Sequence, residues 1–305
     1  STKFVTDPTG AISIQNANNV TANGLINAGS VTQVDGQDTS QFNSTVTTDT
    51  GDIDITTSAI ELSADMTSAG DQIYNAPVTL LGDVLMSGDN ISINGDVNDD
   101  GIGSPAGDLQ FNATGDVTTD NIGDTTPIDT LTIVDANSVT IDGNVTLDND
   151  FEQETVTTAT TINGNLDIAD QAVIEEGDVV VNGDLDADTA RVGVSLSGDT
   201  DGADATLAVN TGAVTIGNGN GNLDIGFRET ASLSGTPQTV GSLDLSNASG
   251  VTVDVSNVRI GIINGNLSGE GTARGDLIFS DAGTNALTAD SVIAGDSSHR
   301  GNGVV

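Results

Sequence analysis

The chain has no cysteine, no tryptophan, one tyrosine and one histidine in 305 residues. It has only 6 Lys+Arg against 45 Asp+Glu, a formal net charge of -39. Without cysteine, a disulfide scaffold and a cysteine zinc site are excluded. With so few cations, the field has the wrong sign for phosphate, so no nucleic-acid partner is expected. No stretch reaches the ~20 apolar residues that span a bilayer, so no membrane span is expected. The start, Ser1-Thr2-Lys3-Phe4, lacks the apolar run of a signal peptide. The chain therefore reads as a processed product or as a piece of a longer one. Aromatics are 2% of residues, too few for an ordinary core of this size.

What is present is alternation. Apolar residues recur with period two in short runs, as in Ile53 and Ile55, Ile91 and Ile93, Val139 and Ile141, and Val179 and Val181. Further runs are Val192, Val194 and Leu196, and Val251, Val253 and Val255. Gly, Asn and Asp separate the runs, residues that suit tight turns. Disorder, which the charge alone would suggest, does not require such spacing. A helical period is nearly absent, and the best helical stretch, residues 170–177, is not expected to be a helix.

One phrase repeats: Asn94-Gly95-Asp96-Val97, Asp142-Gly143-Asn144-Val145, Asn163-Gly164-Asn165-Leu166 and Asn182-Gly183-Asp184-Leu185. It returns at Asn220-Gly221-Asn222-Leu223 and Asn264-Gly265-Asn266-Leu267. The glycines of Gly95 and Gly115, Gly143 and Gly164, and Gly164 and Gly183 lie about 20 residues apart. The longer gaps from Gly183 to Gly221 and from Gly221 to Gly265 read as two such periods each. This period, made of short strands and Gly/Asn turns, predicts an all-β right-handed parallel β-helix, or β-solenoid, of roughly 20 residues per coil. Residues 1–305 then form one elongated domain of roughly fifteen coils, a rod on the order of 70 Å long. Stacked Val, Ile, Leu, Ala and Thr fill such a thin interior without rings, and turn asparagines can ladder between coils. Asn-Gly between alternating runs is also a hairpin signal, so antiparallel sandwiches are the competing fold.

The stretch Gly51-Asp52-Ile53-Asp54-Ile55, Ile60-Glu61-Leu62 and Gly70-Asp71-Gln72-Ile73-Tyr74-Asn75-Ala76-Pro77-Val78-Thr79-Leu80 carries a resemblance. So does Gly88-Asp89-Asn90-Ile91-Ser92-Ile93-Asn94-Gly95-Asp96-Val97. Across residues 45–270 the chain resembles the filamentous-haemagglutinin-like repeats of large bacterial exoproteins. That resemblance implies a right-handed parallel β-helix exported to the cell surface or the medium of a prokaryote, as an adhesin or filament. No two-partner secretion domain is recognisable.

Two acidic loops are candidate metal sites. Asp96, Asn98 and Asp100 precede Gly101 in the Asp-x-Asn-x-Asp-Gly order of a calcium loop, although position twelve is Gly107. Asp199, Asp201 and Asp204 form a weaker candidate. Calcium is the only cofactor these patterns suggest, and a solvated acidic insertion is the alternative. No enzyme is expected: carboxylates are too common to mark a catalytic pair, and Tyr74 alone makes no sugar platform. His299 lies near the end of the chain with no evident partner.

Unpaired coil edges need caps or partners. Residues 1–14 and 286–305 are the candidate docking segments. They would serve a head-to-tail homopolymer or flanking repeats of a longer exoprotein. The function expected is a structural filament or adhesin stalk outside the cell. The alternatives are a surface protein that binds glycans or calcium, and an S-layer-like lattice protein.

Overall fold

The computed structural model describes residues 7–102, 105–195, 202–228, 238–263, 272–281, 283–295 and 301–304. Every regular element among them is a β-strand, and the strands pair in parallel. The fold is a parallel β-solenoid, in two compact units, residues 1–148 and 149–305.

In the first unit each coil contributes a short strand to each of three faces. On one face Ile26 lies under Val46, Val46 under Met66, and Met66 under Met86. On the second, Val31, Ile53, Gln72 and Ile91 stack in the same way. On the third, Ser40, Ile60, Val78 and Val97 do so. Each step is about 20 residues, as the glycine spacing predicts. Alternation sets the inside: Ile53, Ile55, Ile60, Leu62 and Met66 have no exposed surface, while Asp54 and Glu61 between them face out.

Some inward positions carry polar groups, Gln72 and Tyr74 among them. Gln72 sits in the column between Ile53 and Ile91. Its Nε2 donates to the carbonyls of Met66 (2.8 Å) and Ser87 (2.7 Å), and its Oε1 accepts from the Tyr74 hydroxyl (2.8 Å). The buried glutamine is thereby satisfied and ties two faces together. Burial pushes the Tyr74 phenol pKa up.

The expected side-chain ladders run along the corners. Asp52 Oδ1 accepts from the Asp71 amide (2.9 Å), and Asp71 Oδ1 accepts from the amide and Nδ2 of Asn90 (3.1 and 2.9 Å). Asn90 Oδ1 then accepts from the Asp116 amide (2.9 Å), and Asp116 Oδ1 accepts from Asn137 Nδ2 (2.7 Å). A second ladder joins Thr56, Asn75 and Asn94 (3.0 and 2.8 Å). In the second unit Asn163, Asn182 and Asn210 form a third (2.9 and 3.0 Å).

The second unit starts with similar coils, Leu166 under Leu185 and Thr160 under Val179. Residues 170–177 fall in the strands Leu166–Ile174 and Glu176–Val181, not in a helix. The coils then widen. Leu185 lies under Val214, Val214 under Val251, and Val251 under Asn285. Over these steps the coil grows from about 20 to roughly 35 residues. The gap between Gly183 and Gly221 is therefore not two narrow coils. The glycine above Gly183 is Gly212, whose Cβ would lie 2.4 Å from the Gly183 carbonyl oxygen, and Gly221 turns a different corner.

The extra length leaves the main coil at a pinch. Gly193, Gly226 and Gly261 stack in register, each with φ near +60°. A Cβ on Gly193 would sit 1.9 Å from the Val240 carbonyl oxygen, and one on Gly226 would sit 1.8 Å from that of Arg274. Opposite them stack Gly241 and Gly275. Backbone touches backbone here, so only glycine fits. Beyond the pinch the strand continues through Phe227 and Arg228, and Gln238–Asp244 passes back beside it at Gly241.

Gly226→Ala combines a left-handed φ with a backbone clash, and a loss of more than about 3 kcal/mol is expected in chemical denaturation followed by circular dichroism. Asp71→Ala removes one rung of an exposed ladder and costs about 1 kcal/mol. Asp120→Ala, at an exposed position outside the ladders, leaves the midpoint unchanged within error.

Candidate functional site

A cavity of about 300 Å³ lies on the outer face of the second unit. Glu152, Gln153, Glu154, Gln171, Val173, Glu175 and Arg191 line it. Alternation in Phe151–Val156 turns Glu152 and Glu154 outward and Phe151 and Gln153 inward. The Gln153 amide is buried and satisfied: Nε2 donates to the Glu176 carbonyl (2.8 Å), and Oε1 accepts from the Thr160 hydroxyl (2.7 Å). Glu152, Val173, Arg191, Asp224 and Arg259 follow one another in register up this face.

The upper part of that column is an ion ladder. Asp224 is fully buried. Its Oδ2 accepts from Arg191 Nε at 3.2 Å, and its Oδ1 from Arg259 Nε at 2.6 Å. Arg259 Nη2 adds a second bond to Oδ2 at 2.6 Å, the forked geometry that guanidinium supplies. The Arg259 guanidinium also lies over the Phe227 ring, 4.1 Å from its centroid. Phe227 packs with Val173, Val194 and Ile262, and so shields the ladder from water. Two of the chain's six basic residues are spent on this one carboxylate. The cavity below it presents three carboxylates, two amides and one guanidinium already held by Asp224. Such a lining favours cations and hydrogen-bond donors.

A smaller cavity, about 210 Å³, lies at a corner of the first unit between Asp65, Asp83, Val84, Leu85, Asp108 and Gln110. Asp65 Oδ1 accepts from the Leu85 amide (3.0 Å) and Asp83 Oδ1 from the Asp108 amide (3.2 Å). Burial, with Asp83 and Asp129 nearby, pushes the Asp108 carboxyl pKa up. Burial, with Asp148 and Asp83, does the same for Asp129.

The candidate calcium residues lie at an insertion. Here the coil step rises to 25 residues, from Val97 to Ile122. Asp96 Oδ1 accepts from Asn121 Nδ2 (2.8 Å), and Asn98 Oδ1 accepts from the Thr125 amide (2.9 Å), so both serve the next coil. Asp100 Oδ1 accepts from the Ile102 amide (2.7 Å). Asp99, which the motif skips, closes the insertion: Oδ1 accepts from the Gly101 amide (2.7 Å) and Oδ2 from that of Gly107 (2.8 Å). Asp204 is exposed on Ala203–Val209, while Asp199 and Asp201 lie outside the described residues, as does His299. Among the described residues no group of three or more His, Cys, Asp or Glu is placed to hold a metal ion. Likewise no helix among them is long and apolar enough to cross a membrane.

No family model, curated protein or solved structure matches the chain. The site is read from its own residues. The sequence reading passed over the column of Arg191, Asp224 and Arg259. Its signal was the spacing of rare arginines, 33 and 35 residues on either side of one aspartate, which is one wide coil each way.

Asp224→Ala strands two guanidinium groups in a shielded corner, and a loss of about 3–5 kcal/mol is expected by urea denaturation. Asp276→Ala, which removes the partner of the exposed Arg274, changes stability by less than about 1 kcal/mol.

Acid has two opposed effects. Burial, with like-charged neighbours, raises the folded pKa of Asp54, Asp108, Asp129 and Asp186. The folded state then binds these protons more readily than the unfolded chain. Stability rises as pH falls through their folded pKa values, and the gain levels off near the ordinary carboxylate value of about 3.9. Asp116 runs the other way, since hydrogen bonds from Asn137 and Ser138 lower its pKa. Its contribution is present above about 3.9 and is lost as pH falls through its folded value. Thermal melts should therefore shift upward from pH 7 toward about pH 4 and turn down below it. A flat or monotonically falling profile contradicts this assignment.

Proposed function

We propose that this chain is an extracellular structural solenoid, a stalk or filament segment of a surface adhesin, whose uncovered coil edges stack on further coils. The observation that carries this reading is the upper edge of the second unit. Leu287 and Val292 continue the inward columns of Val253 and Val258. They are 38% and 54% exposed, whereas Val253 and Val258 are 0%. The strand Asn285–Ala294 pairs on one side only among the described residues, with Gly250–Ile263. An open edge of this kind is a template for another strand. The filamentous-haemagglutinin-like phrasing of residues 45–270 supports the same reading, as does an outer surface dominated by Thr, Asn and Asp.

Binding of glycans or cations at the cavity beside Arg191 is the second reading, favoured by its carboxylate and amide lining. Sedimentation of the purified chain over a concentration series, with and without Ca²⁺, separates the two. The structural reading expects association that Leu287→Lys with Val292→Lys abolishes. A chain that stays monomeric throughout, yet binds a glycan saturably, overturns it.

A further inference from the structure

The cavity beside Arg191 has two ends of opposite charge. Register brings three coils together along it. Glu152 lies under Val173, and Val173 under Arg191. Glu154 and Glu175 stand two places further along the chain than Glu152 and Val173, and both line the same space. Carboxylates therefore occupy the lower two coils of the cavity and a guanidinium the upper one, with Val173 between them. The ion pair of Arg191 lies on the far side, to Asp224 at 3.2 Å. Asp224 also holds the forked pair from Arg259. Two guanidinium groups thus share one carboxylate, and the ladder keeps a surplus of one positive charge. Arg191 is the rung next to the cavity. Its side chain is 17% exposed, whereas that of Asp224 is 1% exposed. Partial burial leaves this charge weakly screened.

Three ligand classes fit such a space poorly. A simple anion meets three carboxylates on a chain of net charge -39. A simple cation is drawn to those carboxylates and opposed by Arg191. A sugar finds no ring to lie against, because Val173 is the apolar part of the lining, and it leaves both charges uncompensated. A molecule that is cationic at one end and anionic at the other answers both ends at once.

We propose that the cavity binds a small zwitterion, an amino acid whose ammonium meets Glu152, Glu154 and Glu175 and whose carboxylate meets the Arg191 guanidinium. The proposal rests on the binding reading of this cavity and narrows its ligand to a dipolar one. Charge-assisted hydrogen bonds at both ends supply the selectivity, and the guanidinium is the natural partner of a carboxylate. Gln171 offers an amide donor and acceptor beside the middle of the ligand. At about 300 Å³ the space is near the lower end of ligand pockets, so the ligand is small.

The full chain is titrated calorimetrically at pH 7 and low salt with glycine, 4-aminobutyrate and 6-aminohexanoate. Butylamine, butyrate and glucose are the one-ended and uncharged controls. The best zwitterion is expected to bind about 10-fold or more tightly than either butylamine or butyrate. Glu154→Lys reverses a charge at an exposed position and leaves the melting temperature unchanged. It should weaken zwitterion and butylamine binding about 10-fold and spare butyrate. Arg191→Lys keeps a cation for Asp224 and withdraws the planar fork. It should weaken zwitterion and butyrate binding and spare butylamine, a split between the two ends that a merely structural role does not produce. If Arg191→Lys lowers the melting temperature, Glu154→Lys decides alone. Butylamine or glucose binding as tightly as every zwitterion overturns the proposal while the binding reading stands. No heat from any probe overturns both.

Discussion

No coil of this protein has a core of its own. A narrow turn of the solenoid encloses a column only one or two side chains wide, and that column is closed by the coils above and below. Everything else follows from the parallel backbone ladder that holds one coil over the next. Inward positions must be apolar and similar in size to those they cover, so Met66 lies under Met86 and Leu185 over Leu166. Rings are dispensable, which is why a chain with 2% aromatics folds at all. Contacts link residues one coil apart, so folding is expected to spread along the chain from neighbour to neighbour.

The same ladder explains the acidity. At each corner the incoming amide of one coil needs an acceptor from the coil before it. Asp52, Asp65, Asp71, Asp83 and Asp184 supply that oxygen, and Asn90 and Asn98 do so equally well. The position demands an acceptor and is indifferent to charge. Aspartate can therefore accumulate corner after corner, up to the point where like charges crowd one another, as at Asp108 and Asp129. The cations are few, and the buried one-to-two pairing at Asp224 uses two of them where the coil outline changes.

Much of the fold was legible because the ladder acts on local pattern. Alternation in Ile53-Asp54-Ile55 and the Asn-Gly phrases at Asn94, Asn163 and Asn182 announce strands, corners and a coil length directly. The widening after Val192 was not legible. A wide coil that carries an extra corner glycine looks like two narrow coils in sequence. Only the register shows that Gly212 stacks on Gly183 while Gly221 does not. The cavity was hidden for a related reason. Glu152, Gln171 and Arg191 come from three successive coils, and nothing near any one of them in sequence announces the others. The calcium pattern at Asp96, Asn98 and Asp100 shows how one spacing admits two readings. Alternate oxygens followed by glycine also describe a strand end whose outward side chains serve the next coil.

The corner asparagines carry a chemical clock. Asn94, Asn163 and Asn182 each precede glycine, the neighbour that least hinders attack of the backbone nitrogen on the side-chain amide. That attack, followed by hydrolysis, replaces the amide with a carboxylate. In the ladders Asn94 Nδ2 donates to Asn75 Oδ1 and Asn182 Nδ2 to Asn163 Oδ1. Deamidation at either place sets acceptor against acceptor and adds a negative charge to a surface already crowded with them. The polypeptide therefore ages at its seams, and a molecule that has stood for long in water loosens coil by coil at those corners while its interior columns remain chemically unchanged.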